Sequence, residues 1–287
     1  MIRLIVNADD FGLTSGVNRA IAEGHKNGIV SSSTLMANGP KFAEAVETAK
    51  NNPQLAVGCH VTLVDGSPVM PAAQVPSLLK LKKKDKFRTG FGEFALASFF
   101  GKLSALEIEA EATAQFCKLQ EAGIAITHFD THKHVHLFPK VAAPILRAAK
   151  ACGVRAVRNP FGPVRILHLR AQPSSWKRWT QVSMLNSLSG KFRRTVIQSG
   201  LRTTDGTIGV VGTGSMNADL LRLLLQTIPK GTWEFVCHPG YIDADLQNAG
   251  TRLLESREKE LQMLTAPAVR DFIHANGITL CSYRDLE

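Results

Sequence analysis

A chain of 287 residues, 44% hydrophobic and 20% charged, has the makeup of a folded enzyme-sized protein and excludes wholesale disorder. Its start, MIRLIVNADDFG, meets two aspartates too early for a signal peptide, and no apolar run reaches a membrane span, so a cytoplasmic chain is expected. The net charge of +10 is uneven: Thr131–Thr204 holds fourteen Lys and Arg and no acid, leaving 20 basic and 24 acidic residues elsewhere, which points to an anionic partner for that stretch.

The first expected strand, Leu4–Ala8, runs directly into Asn7-Ala8-Asp9-Asp10. In a parallel α/β protein the C-terminal ends of strands carry active sites. Two adjacent carboxylates there repel unless a cation or hydrogen bonds offset the cost; the plainer alternative is a turn before Phe11-Gly12. A helix over Val17–Lys26 should stop at Gly28, followed by a strand at Ser31–Ala37 and a helix at Phe42–Lys50. The strand Leu55–Val61 delivers His60 at its end, where a lone histidine is more often structural than a ligand. Next comes an insertion, Ser77–Lys102, in which LKLKKKDKFR leads into FGEFALASFFGKL. Ser104 and Glu107 have capping-box spacing before a helix over Ala105–Ala122.

The strand expected at Ile124–Phe129 opens the densest signal in the chain, THFDTHKHVH, with four of the nine histidines. In extended chain His128, Asp130, His132, His134 and His136 project from one face, which favours a metal or an active-site cleft over core filling. Not all can bind one ion, so some must orient the others. A helix over Val141–Ala151, stopped by Gly153, precedes the strand Val154–Arg158. The second insertion, Pro163–Arg194, sets Trp176, Trp179, Met184 and Leu185 among cations; both insertions read either as membrane-surface elements or as a solvated lid or dimer contact. Ile208–Gly212, a helix at Ala218–Thr227, the strand Glu234–His238, a helix at Ala268–Ala275 and a strand at Ile278–Ser282 complete the alternation.

Eight strands alternating with helices imply a mostly parallel sheet closed into a barrel, read as one domain over 1–287 with insertions at about 77–102 and 163–194. Asp9, Asp10, His60, His132, Arg158 and His238 then come from five strand ends. One carboxylate and two imidazoles suit zinc, and also cobalt, nickel, manganese or iron. Five scattered cysteines (Cys59, Cys117, Cys152, Cys237, Cys281) without a CxxC pair indicate reduced thiols.

NADDFG at Asn7–Gly12, GCHVTL at Gly58–Leu63, THFDTHKHVHLFP at Thr127–Pro139 and CHPGY at Cys237–Tyr241 resemble, in order and spacing, the YdjC-type carbohydrate deacetylases, which include the chitooligosaccharide deacetylases of ChbG type. RLIVNADDFGLTSGVNRAI with its basic insertions is most similar to the HpnK branch associated with hopanoid biosynthesis. The resemblance implies a deformed (β/α) barrel and one divalent ion, zinc first and magnesium, manganese, cobalt or nickel after it, held by Asp10, His60 and His132. By the same analogy Asp9 is the general base and His238 the general acid, while His128, Asp130, His134 and Arg158 support the site or orient the substrate. It implies an N-acetylated amino sugar as substrate, lipid-linked if the HpnK likeness holds, with peripheral contact at the inner membrane surface and a homodimer as further possibilities. A soluble chitooligosaccharide is the nearest rival substrate. A nucleic-acid-binding role for 131–204 is the rival of another class, and it lacks any zinc-finger, helix-turn-helix or RNA-binding signature.

Overall fold

The computed structural model describes residues 1–80, 85–163 and 176–286. Its centre is β1 (Ile2–Phe11), in which every residue from Leu4 onward is buried. A strand covered on both faces reads as a continuous apolar run, as LIV does here until the polar NADD begins. Around it lie β2 (Ser32–Leu35), β3 (Ala56–Val61), β4 (Phe129–Thr131), β5 (Ala156–Val157), β6 (Arg202–Thr203), β7 (Gly206–Ile208), β8 (Gly231–Cys237) and β9 (Ile278–Cys281). The strand order is β6-β5-β4-β3-β2-β1-β8-β7, and every pairing is parallel. One edge of β1 is divided: Ile2–Ile5 pair with β9, and Asn7, Ala8 and Phe11 pair with β2.

The two ends of this sheet nearly meet. Thr207 N donates to Phe161 O at 2.9 Å, and Thr207 Oγ1 donates to Asn159 O at 2.6 Å, across the seam between β7 and the chain leaving β5. The result is the expected parallel α/β barrel, nearly closed. Helices cover it outside: α1 (Ser15–Lys26), α2 (Phe42–Lys50), α3 (Gly90–Phe99), α4 (Ala105–Glu121), α5 (Pro139–Ala151), α6 (Trp176–Leu185), α7 (Ser189–Ser199), α8 (Ala218–Thr227), α9 (Ala244–Asn248), α10 (Glu255–Thr265) and α11 (Pro267–Ala275). Thr14 and Asn217 cap α1 and α8 by accepting from Val17 N and Leu220 N, satisfying donors that a helix start leaves open. Leu220, Leu221, Leu224 and Leu225 then bury the inner stripe of α8. No helix among the described residues is long and apolar enough to cross a membrane.

Several expectations need correction. The strand placed at Ile124–Phe129 lies at Phe129–Thr131, because 124–128 runs alongside β3 through single bonds such as Thr127 N to Val57 O. The strand placed at Ile208–Gly212 ends at Ile208, and the following chain turns with Gly209 at φ +100°. The chain at 132–137 is not extended. It forms a tight turn with Lys133 (φ 56°) and His134 (φ 54°) left-handed, so the five polar residues from His128 to His136 do not share one face. The Ser104 cap is half a box: its side chain accepts from Glu107 N at 3.4 Å, but Glu107 turns to Ser77 N. In the insertions, 85–102 carries α3 and 176–194 carries α6 and part of α7, while RILHLR (165–170) and LKKK (81–84) lie outside the described residues.

Candidate metal centre and catalytic mouth

The polar residues gather at the C-terminal rim of the barrel. β1 supplies Asn7, Asp9 and Asp10, the last at φ 65° where the register with β2 slips. That left-handed turn lets two adjacent carboxylates serve different neighbours. Asp9 turns to a buried guanidinium: Arg158 Nη1 and Nη2 donate to its two oxygens at 2.8 and 2.6 Å. Burial alone would raise the Asp9 pKa, but the charge and hydrogen bonds of Arg158, with His60 and His238 behind, hold it far below the usual carboxylate range.

Asp10 turns to the imidazoles. Its Oδ1 lies 3.5 Å from His60 Nε2 and 3.3 Å from His132 Nδ1, and those two nitrogens are 3.2 Å apart. Donors about 2.0–2.1 Å from one ion at tetrahedral angles stand about 3.3 Å from each other, so the triangle has the size of a coordination face. Behind it, His60 Nδ1 meets Asp130 Oδ1 at 2.7 Å, a carboxylate–histidine pair that fixes the ring and presents Nε2. Burial disfavours a charged His60, yet Asp130, Asp9 and Asp10 overcome it and push its pKa up to about 9. The pocket therefore favours positive charge where the three donors converge. The buried carboxylates here (Asp9, Asp10, Asp130, Glu234) outnumber the buried guanidiniums (Arg158, Arg257), so a cation is favoured at the mouth. Asp10, His60 and His132 fit such an ion by donor type, spacing and charge; a second group, Asp9, His60 and Asp130, has the spacing too, but Arg158 already occupies both of its carboxylates.

Beneath the triangle, Arg158 is fully buried and bound to three acids: Asp9, Asp130 Oδ2 at 2.6 Å, and Glu234 Oε1 at 2.6 Å. With its donors so engaged, it fixes the orientation of Asp9. Glu234 also accepts from Tyr283 Oη at 2.6 Å and Thr207 Oγ1 at 3.2 Å. His128 stacks on Tyr283 with ring centroids 3.6 Å apart and binds Asn7 Oδ1 through Nε2 at 3.0 Å. Burial and Arg158 keep His128 neutral, with a pKa far below the ordinary value. His136 turns inward to Thr131 Oγ1 (2.6 Å) and Arg158 O (3.1 Å), its pKa pushed down by burial to about 3.

The wall of the mouth is different. His238 follows β8, its Nε2 3.9 Å from Asp9 Oδ2, and burial lowers its pKa to about 4. Its Nδ1 and that of His134 are sheltered from solvent without a protein partner. Burial and Arg158 hold the His134 pKa far down as well. At the outer edge, His132 Nε2 lies 3.8 Å from Asp65 Oδ2, which pairs with Lys133 Nζ at 2.5 Å. The structure thus brings together Asp9, Asp10, His60, Asp130, His132, Arg158 and His238, with His128 behind them. It adds residues the sequence reading passed over: Thr34, bridging His60 and Asp130; Glu234 and Tyr283; and Arg257, whose Nη2 donates to Asp10 Oδ2 at 2.6 Å. Arg257 sits in ESREKELQ, where its charge looks like that of any exposed helix face.

The family model of YdjC-like proteins matches residues 3–275. A carbohydrate deacetylase of Brevibacillus brevis is 33% identical over 99% of this chain and 100% of its own length. One from Geobacillus stearothermophilus is 33% identical over 98% of this chain and 96% of its own. Among solved structures, a protein of Enterococcus faecalis V583 proposed for cellobiose-phosphate cleavage superposes with a TM-score of 0.79 and 28% identity, covering 98% of this chain and 97% of its own. Sequence and architecture agree along the whole chain, which belongs to the YdjC-like family.

Proposed function

We propose that this protein is a metal-dependent N-deacetylase of an amino sugar. The observation that carries the reading is the convergence of Asp10 Oδ1, His60 Nε2 and His132 Nδ1 within 3.5 Å of one another, beside Asp9 and His238. The relatives named carbohydrate deacetylases supply the substrate class.

Asp10, His60 and His132 would hold a divalent ion, which would supply Lewis-acid chemistry to the acyl oxygen and to the attacking water. Asp9, kept ionised and aimed by Arg158, accepts the proton of the attacking water. His238 is neutral at rest, since burial holds its pKa near 4, so it must first receive the proton that it later donates to the leaving amine. Asp9 Oδ2, 3.9 Å from His238 Nε2, is the nearest source, and the transfer runs from the weaker base to the stronger one. The net result moves a water proton to the amine nitrogen and leaves acetate and a free amino group.

The finer reading is an N-acetylglucosaminyl hopanoid or a similar lipid-linked glycan, worked on at a membrane surface. Its support is the pair of segments that leave the C-terminal ends of β3 and β5, the rim that holds the site. On the first, Leu96, Phe99, Phe100 and Leu106 are 61–79% exposed. On the second, Trp176 and Met184 are 55% and 78% exposed, and Lys177 lies over the Trp176 ring. Part of the basic charge of 131–204 is paired within the chain, by Arg158 in the core and by Arg147–Glu109 and Arg193–Asp205 at the surface, which weakens a nucleic-acid reading.

The deciding experiment is acetate release from N-acetylglucosaminyl lipid and from chitooligosaccharide, with chelator-stripped and metal-restored protein and an Asp9→Ala control. Metal-dependent release that Asp9→Ala abolishes is expected, faster on the lipid-linked substrate. Equal or better turnover of the soluble sugar would overturn the lipid assignment alone. No release from either, with any ion, would overturn the deacetylase.

A further inference from the structure

Arg158 and Arg257 are both buried at the mouth, at 0% and 1% exposure, yet they are satisfied very differently. Arg158 is clasped by three carboxylates. Arg257, on α10, has one, Asp10, together with a hydrogen bond from Nε to Leu253 O at 3.1 Å; its Nη1 is sealed from solvent with no protein acceptor. A guanidinium buried only to stabilise packing would leave no such donor open, because an unpaired buried charge or donor is costly.

The path of its side chain is built into the fold. Gly240, in His238-Pro239-Gly240, lies against the Arg257 stem so closely that a Cβ there would stand 2.9 Å from Arg257 Cδ and 3.2 Å from its Cβ. Gly240 N also donates to Arg257 O at 3.3 Å. Three residues along the same helix, Glu260 Oε2 accepts from His238 N at 2.7 Å. One helix therefore holds both the Asp10 carboxylate and the strand end that carries His238.

We propose that Arg257 is the positioning residue for the metal centre: by taking Asp10 Oδ2 it rotates Oδ1 toward His60 and His132. The glycine of the CHPGY segment is required because the Arg257 stem lies against it. This rests on Asp10, His60 and His132 being the metal ligands. Partners that orient a ligating group typically account for about 10–100-fold in metal affinity. Lysine keeps the charge but not the fork, and it should restore only part of that.

The test is Co2+ binding to chelator-stripped protein, read by competition with a chromophoric chelator and by the visible absorption of the bound ion. Wild-type protein and His60→Ala come first. If the wild type takes up no ion, or His60→Ala binds as well as wild type, the metal-site reading itself fails and Arg257's part with it. If those controls behave, Arg257→Gln should bind Co2+ about 10–100-fold more weakly, with an altered visible spectrum, and Arg257→Lys should recover part of the affinity. Arg257→Gln that folds and binds with wild-type affinity and spectrum overturns the proposal and leaves the metal site standing. Should Arg257→Gln fail to fold, Gly240→Ala decides, because it displaces the stem and leaves the charge in place. Weakened binding at an unchanged melting temperature supports the proposal, and unchanged binding overturns it.

Discussion

The floor and the wall of the barrel mouth are built from the same kinds of residue and to opposite standards. On the floor, Asn7, His128, Asp130, Arg158, Glu234 and Tyr283 form a network in which Arg158 binds three acids and both nitrogens of His128 have partners. On the wall, His134, His238 and Arg257 each keep one buried nitrogen without a protein partner, and the backbone turns left-handed at Lys133 and His134. Buried polar atoms are nearly always paired in folded proteins, so open ones gathered in one place mark where a ligand is met. The floor holds geometry; the wall keeps donors and acceptors open.

The sharpest way to break that contrast is Arg158→Met. Removing the guanidinium leaves Asp9, Asp130 and Glu234 as like charges in a region closed to water. Breaking a buried ion network by deleting one partner costs about 3–5 kcal/mol, so urea denaturation should show a loss of that order or no soluble protein. A loss below about 1 kcal/mol would mean that the floor is not the stabilising element.

His238→Ala should do the reverse. Its deletion removes an unpaired buried nitrogen and no essential contact of the fold, so stability should stay within about 1 kcal/mol of wild type. Loss of a proton donor should lower kcat by about 10²–10⁴-fold, with KM little changed. Steady-state kinetics beside a melting curve would separate the two. A kcat near wild type would remove His238 from the reaction.

How much of this was legible beforehand follows the same division. β1, β3, β8, α4 and α8 are readable because their apolar runs or spacing are unbroken, and the strand-end positions of Asp9, Asp10, His60 and His238 follow from β1, β3 and β8. The two-residue strands β5 and β6 lack the length for periodicity to show, and β6 was missed. The histidine run was misread as extended because nothing in Lys133-His134 announces a left-handed turn, which neighbouring structure imposes. Arg257 was invisible because its partner, Asp10, is 247 residues away and its own helix is rich in charge. Periodicity reports which face is buried; it says nothing of a single charged residue drawn into the core from a solvent-like helix.

Acid should discriminate between the regions next. His136, below the floor, has its pKa pushed down to about 3 by burial, and His128 is lowered in the same sense. A neutral buried histidine stabilises fully above the unfolded pKa of about 6.5, and stability is lost as pH falls, because the unfolded chain binds the proton first. His60, raised to about 9, acts in the other window: its contribution is complete below about 6.5 and fades as pH rises through its folded value. Between pH 6.5 and 5 the depressed histidines lower stability as pH falls, against buried Glu260, whose pKa is pushed up to about 7 and whose contribution grows in the same direction. His136→Gln should reduce the slope of stability against pH by about one proton, or about 1.4 kcal/mol per pH unit, in urea titrations at several pH values. An unchanged slope would place the acid sensitivity elsewhere.

The smallest effect on the fold is expected outside the mouth. Phe99 and Phe100 are 79% and 65% exposed, with Lys102 over the Phe100 ring, and Trp176 is 55% exposed beside Lys177. Replacing all three aromatics by Ser should shift stability by no more than about 0.5 kcal/mol per site, as surface changes do. Sedimentation with anionic vesicles should nevertheless fall clearly, since interfacial aromatics are lost while the neighbouring lysines still contribute about 1 kcal/mol each at low salt. Wild-type and triple-variant protein that sediment alike, or wild type that binds anionic and neutral vesicles equally, would count against a membrane-facing mouth. A variant that loses vesicles but still releases acetate from soluble chitooligosaccharide at the wild-type rate would place the aromatic rim in substrate access and keep it out of the chemistry.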